Sequence, residues 1–363
     1  MTCLVARSLS ARSFVVTVLG LVLLAAGCTS GPPEGERPPR QVRPLPADCS
    51  AKIVDPGVAM ATLAQVLPGE KVCLSGDGLA GAELTVRTSG TPQRPITVVA
   101  DGAPVRSLNV EADHVIVDGL SLVDGEGLTM KGRGLVARNN MVYNAAADGI
   151  VCIGCADSTI ESNTVRRADG TGIYFAGERI TVQNNTVSES VRKTQGDADG
   201  IRFFGPGHRM LGNTIKDLKE SGYSDDPRGG PHTDCFQTYN TPANPPTVDV
   251  VITDNVCTNV DVQCLIATAD RDVHQSAPAG RPSITFERNR CEVNGAQVVL
   301  LENFPDVVIR NNTFSGPGYR AVLVTHDSTG CVVMDNTVTG GLRPYEVDES
   351  SRPGFQESGN GMR

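Results

Sequence analysis

Eight times along the chain a short apolar stretch runs into an asparagine and resumes with an apolar residue two places later. The segments are ARNNMV, ESNTV, QNNTV, LGNTI, TDNVC, ERNRC, RNNTF and MDNTV, and their shared positions are Asn140, Asn163, Asn185, Asn213, Asn255, Asn289, Asn312 and Asn336. The intervals between them are 23, 22, 28, 42, 34, 23 and 24 residues. A base period near 22, with about three short strand-like patches in each, predicts a solenoid with one coil per repeat and equivalent strands about 4.8 Å apart. Asparagines at one corner would then stack, each amide both donating and accepting along the column. The apolar residue two places on (Val165, Val187, Ile215, Phe314, Val338) would fill the core. A leucine-rich repeat would show a leucine lattice, and a propeller would need blades of about 40 residues.

On those repeats the chain resembles right-handed parallel β-helix proteins of the pectin-lyase type. The opening VAMATLAQVLPGEKVCLSGDGL, then SGTPQRPITVVADG, then HVIVDGLSL, is similar to exported polysaccharide lyases and their relatives. The resemblance covers residues 50 to 342. It implies an all-β, single-stranded right-handed parallel β-helix with an N-terminal capping helix, here about 57–66. A cap is a physical need, because an open sheet end exposes both core and unpaired backbone. The fold alone leaves activity open, since it hosts lyases, hydrolases, epimerases and binders.

The ends change the picture. Arg7 and Arg12 precede the apolar run SFVVTVLGLVLLAAG, which reads as an export signal. It stops at LLAAGC, which resembles a bacterial lipobox and implies lipid on Cys28 and a place on the outer face of the cell membrane. The expected organisation is therefore a signal over 1–27, a Pro-rich tether over 28–48, the β-helix over 49–342 and a polar, disordered tail over 343–363. A net charge of −9 without basic clusters argues against a nucleic-acid partner. The expected form is a monomer. Scarce aromatics and the absence of Trp fit a core of Ile, Val and Leu.

Export makes disulfides plausible. Aligned on the asparagines, Cys257 and Cys291 share one position, and Cys235 and Cys264 share another. Equivalent residues on adjacent coils lie within the Cα range of a disulfide, so these pairs are candidates. Cys49 and Cys73 bracket the cap and form a third candidate. Cys152 and Cys155, in CIGC, make a local disulfide or two buried thiols, and no second CxxC or His pair supports zinc. Cys331 is left over.

The irregular intervals mark loop insertions around four strands, those carrying Tyr174, Ile201, Phe236 and Leu265. Loops walling a flat sheet suit a linear polymer. Alternation points Ile173, Ile201, Phe236 and Leu265 inward, so that Tyr174, Arg202 and Gln237 face outward in register, with Phe204 and Tyr239 beyond. Asp197, Asp199 and Asp234 gather at the strand entries, a set of oxygen donors that would suit Ca²⁺, although parity turns Asp199 and Asp234 toward the core. His114 and His326 sit in regular coils and read as structural. His232, two residues before Asp234, reads as base or orienting group.

These residues suggest a polysaccharide lyase acting on a uronate polymer. The C5 proton of a uronate becomes removable once the neighbouring carboxylate is neutralised, here by Ca²⁺, Arg202 or Arg271. His232, Tyr239 or Lys193 would take the proton, and Tyr239 would serve the leaving oxygen. Tyr174, Gln237, Lys193, Arg271 and His274 are the expected substrate contacts. The alternatives are a hydrolase using Asp199 and Asp234, a C5-epimerase with much the same residues, and a non-catalytic glycan-binding or envelope lipoprotein.

Overall fold

The computed structural model describes residues 41–49, 51–193, 197–220, 232–271, 273 and 280–362. The leader, Cys28, Tyr223, Asp225, Asp226 and His274 lie outside the described residues.

The chain winds as a parallel β-helix. Among the described residues every strand pair is parallel, and strands pair with their counterparts one coil later, as in Thr159–Glu161 with Thr181–Gln183 and Thr186–Ser188 with Thr214–Lys216. The strands form one twelve-stranded sheet and one twenty-stranded sheet that holds the other two columns of each coil. Inward positions stack into columns. Ile150, Ile173, Ile201, Phe236, Leu265, Val299 and Val322 follow one another in register, all buried. Phe286 and Phe314, from two different strand columns, stack across the core with centroids 6.5 Å apart. Burial of such columns, at about 25 cal/mol per Å² of apolar surface, is the main force holding coil to coil.

The asparagine column forms as its period implies. The Oδ1 of Asn213 accepts from the backbone N of Asn185 at 3.0 Å and from its Nδ2 at 3.0 Å, while Asn213 Nδ2 donates to Val182 O and to Asn255 Oδ1. The same pattern repeats from Asn140 to Asn336. The residue before each asparagine takes a left-handed backbone, from Asn139 (φ 56°) to Asp335 (φ 54°), with glycine at 212 (φ 62°). That bend turns the next strand inward and leaves an amide and a carbonyl that only the stacked side chain satisfies.

The capping helix runs Pro56–Gln65, begins with Asp55 accepting from Val58 N at 2.9 Å, and sets Ala59 and Leu63 on the core. The Cys49–Cys73 disulfide ties the segment before it to the first strand.

Two expectations need correction. The segment after residue 342 is not a disordered tail. Arg343–Val347 pairs with Arg320–Val324, Gln356–Ser358 extends the twelve-stranded sheet, and Asn360 receives both amide bonds of Asn336. Its strands carry few core residues, so backbone pairing and the asparagine column hold it without an apolar signature.

The second concerns disulfides. Cys257 and Cys291 are indeed register partners, and Cys235 and Cys264 sit between the matched pairs Asp234–Gln263 and Phe236–Leu265. The bonds instead run diagonally, Cys235 to Cys257 and Cys264 to Cys291, with Cα separations of 6.2 and 5.9 Å. Equivalent side chains on adjacent coils point the same way, so their Cβ atoms keep the ~4.8 Å coil spacing, wider than the ~3.8 Å a disulfide prefers. Side chains from two different strand columns converge across a corner and meet that need. Cys152–Cys155 is a local disulfide, and Cys331 is buried and free.

Replacing Asn213 by alanine strands the Asn185 amide and the Val182 carbonyl in the interior. The variant should lose about 3 kcal/mol of stability, read as a lower midpoint in guanidinium unfolding, while its far-ultraviolet spectrum below the transition stays that of the parent.

Candidate functional site

The outward row is in register. Tyr174 pairs with Arg202, and Arg202 with Gln237, on three successive coils. Phe204, also outward by alternation, is fully buried because Tyr174 and Tyr239 pack edge-on against it at 5.9 and 4.7 Å. Three rings therefore form the floor beside Arg202 and Gln237.

The acidic residues occupy the corner where these strands begin. Asp148, Thr171, Asp199, Asp234 and Gln263 each stand two places before an inward residue, so they fall into one column. The carboxylates cap the next coil: Asp148 Oδ1 accepts from Thr171 N at 2.6 Å, Asp199 Oδ1 from Asp234 N at 3.0 Å, and Asp234 Oδ1 from Gln263 N at 3.1 Å. This is the carboxylate counterpart of the asparagine column, and Asp199 and Asp234 are fully buried as parity required.

The second oxygens of Asp199 and Asp234 each meet a cation. Asp199 Oδ2 accepts from Arg202 Nη2 at 2.5 Å, and the same nitrogen reaches Asp197 at 2.9 Å. Asp234 Oδ2 lies 2.7 Å from His232 Nδ1 and 3.4 Å from Gln237 Nε2. One ligand-type atom each from Asp199, His232 and Asp234 lies within 4.8 Å of the others. The site is thus two buried carboxyl groups, each holding a partly exposed cation outward. Gln237 Oε1 and Gln263 Oε1, both buried, find no hydrogen-bond partner among the described residues.

The electrostatics follow from burial. Loss of solvation pushes Asp199 up to about 8, with Asp234 and Asp197 adding to the shift and Arg202 opposing it. The hydrogen bond to Asp234 raises His232 to about 9 against the effect of its own burial. Burial also pushes Asp234 up, so the two partners compete for one proton. We place it on His232, because Asp234 accepts from Gln263 N as well and that bond favours the charged carboxylate. His232 is therefore an imidazolium at neutral pH. Burial raises Tyr174 above the usual phenol value.

The remaining expected contacts spread out. The backbone N of Lys193 donates to Asp169 Oδ1 at 2.6 Å, and its Nζ donates to Asn144 Oδ1 at 3.1 Å, at the corner before Ile150. Arg271 lies beyond the far end of its strand and lines a different pocket with Asn303, His326, Asp327 and Ser350. His208 is buried, accepts from Ile180 N through Nδ1, approaches Phe204 O through Nε2, and is pushed down to about 4 by burial, so it is a neutral part of the scaffold. Asp148, Thr171 and Gln263 were missed in the sequence. Their signal was the shared offset from an inward residue, hidden because DG before a strand reads as ordinary turn chemistry.

Residues 106–215 match the family model described as a right handed beta helix region. No curated protein matches the chain in sequence. Several solved structures share the architecture. The mannuronan C-5 epimerase A-module of Azotobacter vinelandii is 11% identical with a TM-score of 0.54, over 86% of this chain and 97% of that one. A tailspike protein of E. coli bacteriophage HK620 is 9% identical with a TM-score of 0.55, over 84% of this chain and 62% of that one. An alginate lyase from Paenibacillus sp. is 13% identical with a TM-score of 0.47, over 85% and 98%. The molecule is a right-handed parallel β-helix. At these identities the likeness concerns the fold alone.

Both shifted groups bear on stability in one direction. The folded pKa values of Asp199 and His232 lie above their ordinary values of 3.8 and 6.5. Each contribution is complete below the ordinary value and is lost as pH rises through the folded one. Asp199 has finished by about 8, so the loss between pH 8 and 9 belongs to His232. The melting temperature should fall across that interval, and His232→Gln should flatten the fall there.

Proposed function

We propose that the protein is an exported, lipid-anchored enzyme that cleaves a uronate-containing polysaccharide by β-elimination. The observation that carries this reading is the pair of cations, Arg202 and His232, held on buried carboxylates beside the outward tyrosines Tyr174 and Tyr239. Support also comes from fold relatives whose names describe work on alginate-type polymers, the epimerase above all.

A uronate seated on the Tyr174–Arg202–Gln237 row would present its carboxylate to Arg202. That neutralises the charge that otherwise resists carbanion formation. Tyr239, within electrostatic range of Arg202, enters the step as the phenolate and takes the C5 proton to become the phenol. The C5–H electron pair forms the C4–C5 double bond, the C4–O4 bond breaks, and O4 leaves with the proton of His232. The charged state of His232 thus changes its expected role: it cannot be the base at neutral pH, and it suits the acid.

Ca²⁺ was the other route to neutralisation. Asp199 and Asp234 direct their oxygens to Arg202, His232 and two backbone amides, so the donor set does not fit a divalent ion as arranged. We assign the charge to the side-chain cations. The same burial counts against a hydrolase, whose two carboxylates must flank the scissile bond. An epimerase would use these residues and return the proton to the opposite face with C4–O4 intact.

The test is incubation with a panel of uronate polymers, with and without a chelator. A lyase generates unsaturated ends that absorb in the ultraviolet, and the rate should not respond to chelation. Arg202→Ala and His232→Ala should each lower the rate by about 10²–10⁴-fold, and the parent rate should fall as pH passes about 9, where His232 loses its proton. Reducing ends without absorbance would mean a hydrolase. Altered C5 stereochemistry at constant chain length would mean an epimerase. Retention on a glycan column without turnover would mean a binder.

The anchor is a separate proposal, resting on LLAAGC and the polar tether that follows. Cys28→Ser should move the protein from the membrane fraction, with loss of incorporated labelled palmitate. Persistence of both label and membrane association would remove the anchor from the reading.

A further inference from the structure

The outward row does not stop at Gln237. Its register continues through Ile266, Leu300 and Leu323 on the next three coils. All three are half-buried, so the polar row turns into an aliphatic stripe in the C-terminal direction. Beside the trailing ends of the same strands lies a pocket of about 300 Å³ lined by Arg271, Asn303, His326, Asp327 and Ser350. These five residues come from four consecutive coils, so the pocket runs alongside the stripe.

The two features differ in chemistry in a way that matches one ligand. A pyranose ring has an apolar C–H face and a polar rim. The stripe offers a flat aliphatic support, and this chain has no tryptophan to serve as a sugar platform. The pocket offers a rim of hydrogen-bonding groups. Arg271 makes no ion pair among the described residues, and it is the pocket's fixed positive charge. By contrast Arg202 and Arg320, on the same strand column, are both paired with carboxylates. Asn303 is fixed by donating its Nδ2 to Ala269 O and Asp270 O. The Asp327 amide is fixed by Ser350 Oγ.

We infer that the Ile266–Leu300–Leu323 stripe and the Arg271 pocket form a remote subsite for an acidic polysaccharide, which receives a uronate residue of the same chain that occupies the Arg202 row. The inference rests on the uronate reading above and adds the direction of the polymer, along the solenoid axis toward the C-terminus. Arg271 stands one coil past Gln237 and five residues beyond Ile266, the register partner of Gln237, so up to roughly 17 Å of strand separates the charge from the row, and the far wall at His326 lies two coils further on. A disaccharide at the Arg202 row would not reach the pocket, whereas a hexasaccharide would.

The test uses the full chain and purified uronate oligosaccharides from dimer to octamer, with affinity read by calorimetry. Arg271→Met keeps the aliphatic stem and removes the charge. It should weaken binding of hexamer and octamer at least about tenfold, and leave dimer affinity and the melting temperature as in the parent. Leu300→Asp should show the same length dependence. Equal affinity of parent and Arg271→Met at every length overturns the subsite while the uronate reading stands. Equal weakening at every length also overturns it, because the arginine would then belong to the central row. A parent that binds no uronate oligomer of any length overturns both.

Discussion

The structure depends on one constraint: each coil must lie in parallel register on the last, with its backbone polar groups satisfied at every bend. Strand pairing does this along the straight segments. At the corners the chain bends through a left-handed residue, and no strand partner is available there. The stacked asparagines supply what is missing, each accepting from an amide of the preceding coil and donating to one of its carbonyls. The column fixes the rotation of every coil about the axis. Rows on the outer face, including Tyr174, Arg202 and Gln237, inherit their alignment from it.

The candidate site uses the same device with a different side chain. Asp148, Asp199 and Asp234 cap the next coil as asparagines do elsewhere. A carboxylate in that position has a second oxygen and a charge that an amide lacks. Burial makes the charge costly, so a cation must answer it. Arg202 answers Asp199, and His232 answers Asp234. Cations are thereby delivered to the outer face in fixed positions, anchored from beneath. The scaffold's own corner chemistry thus holds two cations at the outer face of a protein whose net charge is −9, each bound to a buried carboxyl group.

Much of this was legible in the sequence because solenoid geometry turns spacing into position. The asparagine intervals gave the coils, and alternation gave the inward column from Ile173 to Leu265 and the outward row beside it. The diagonal disulfides were not legible. Register says which cysteines are equivalent, but bonding depends on where Cβ atoms converge, and that is set by how two strand columns meet at a corner. The charge on His232 was hidden for a similar reason. One residue separates it from Asp234 in the chain, and nothing in that spacing says that the two side chains meet. The strands after residue 342 were hidden because their cohesion is backbone pairing with little apolar burial.

The insertions and the disulfides belong to one solution. The longest interval between stacked asparagines, 42 residues, falls between Asn213 and Asn255, and it delivers His232 and Asp234 to the site. Closing a longer loop costs only slowly increasing entropy, so the solenoid tolerates the insertion thermodynamically. The strand that follows it has a different problem. Asp234–Asn240 must dock in register with no short connection guiding it, and a slip by one residue would turn Gln237 inward and Phe236 out. Cys235, directly beside Asp234, is bonded to Cys257 on the next coil, and Cys264, directly beside Gln263, is bonded to Cys291 on the one after. The covalent bonds thus stand next to the acceptor and the donor of the Asp234–Gln263 cap. They hold in place the one strand whose register the sequence connection leaves weakest and on which the candidate chemistry depends most.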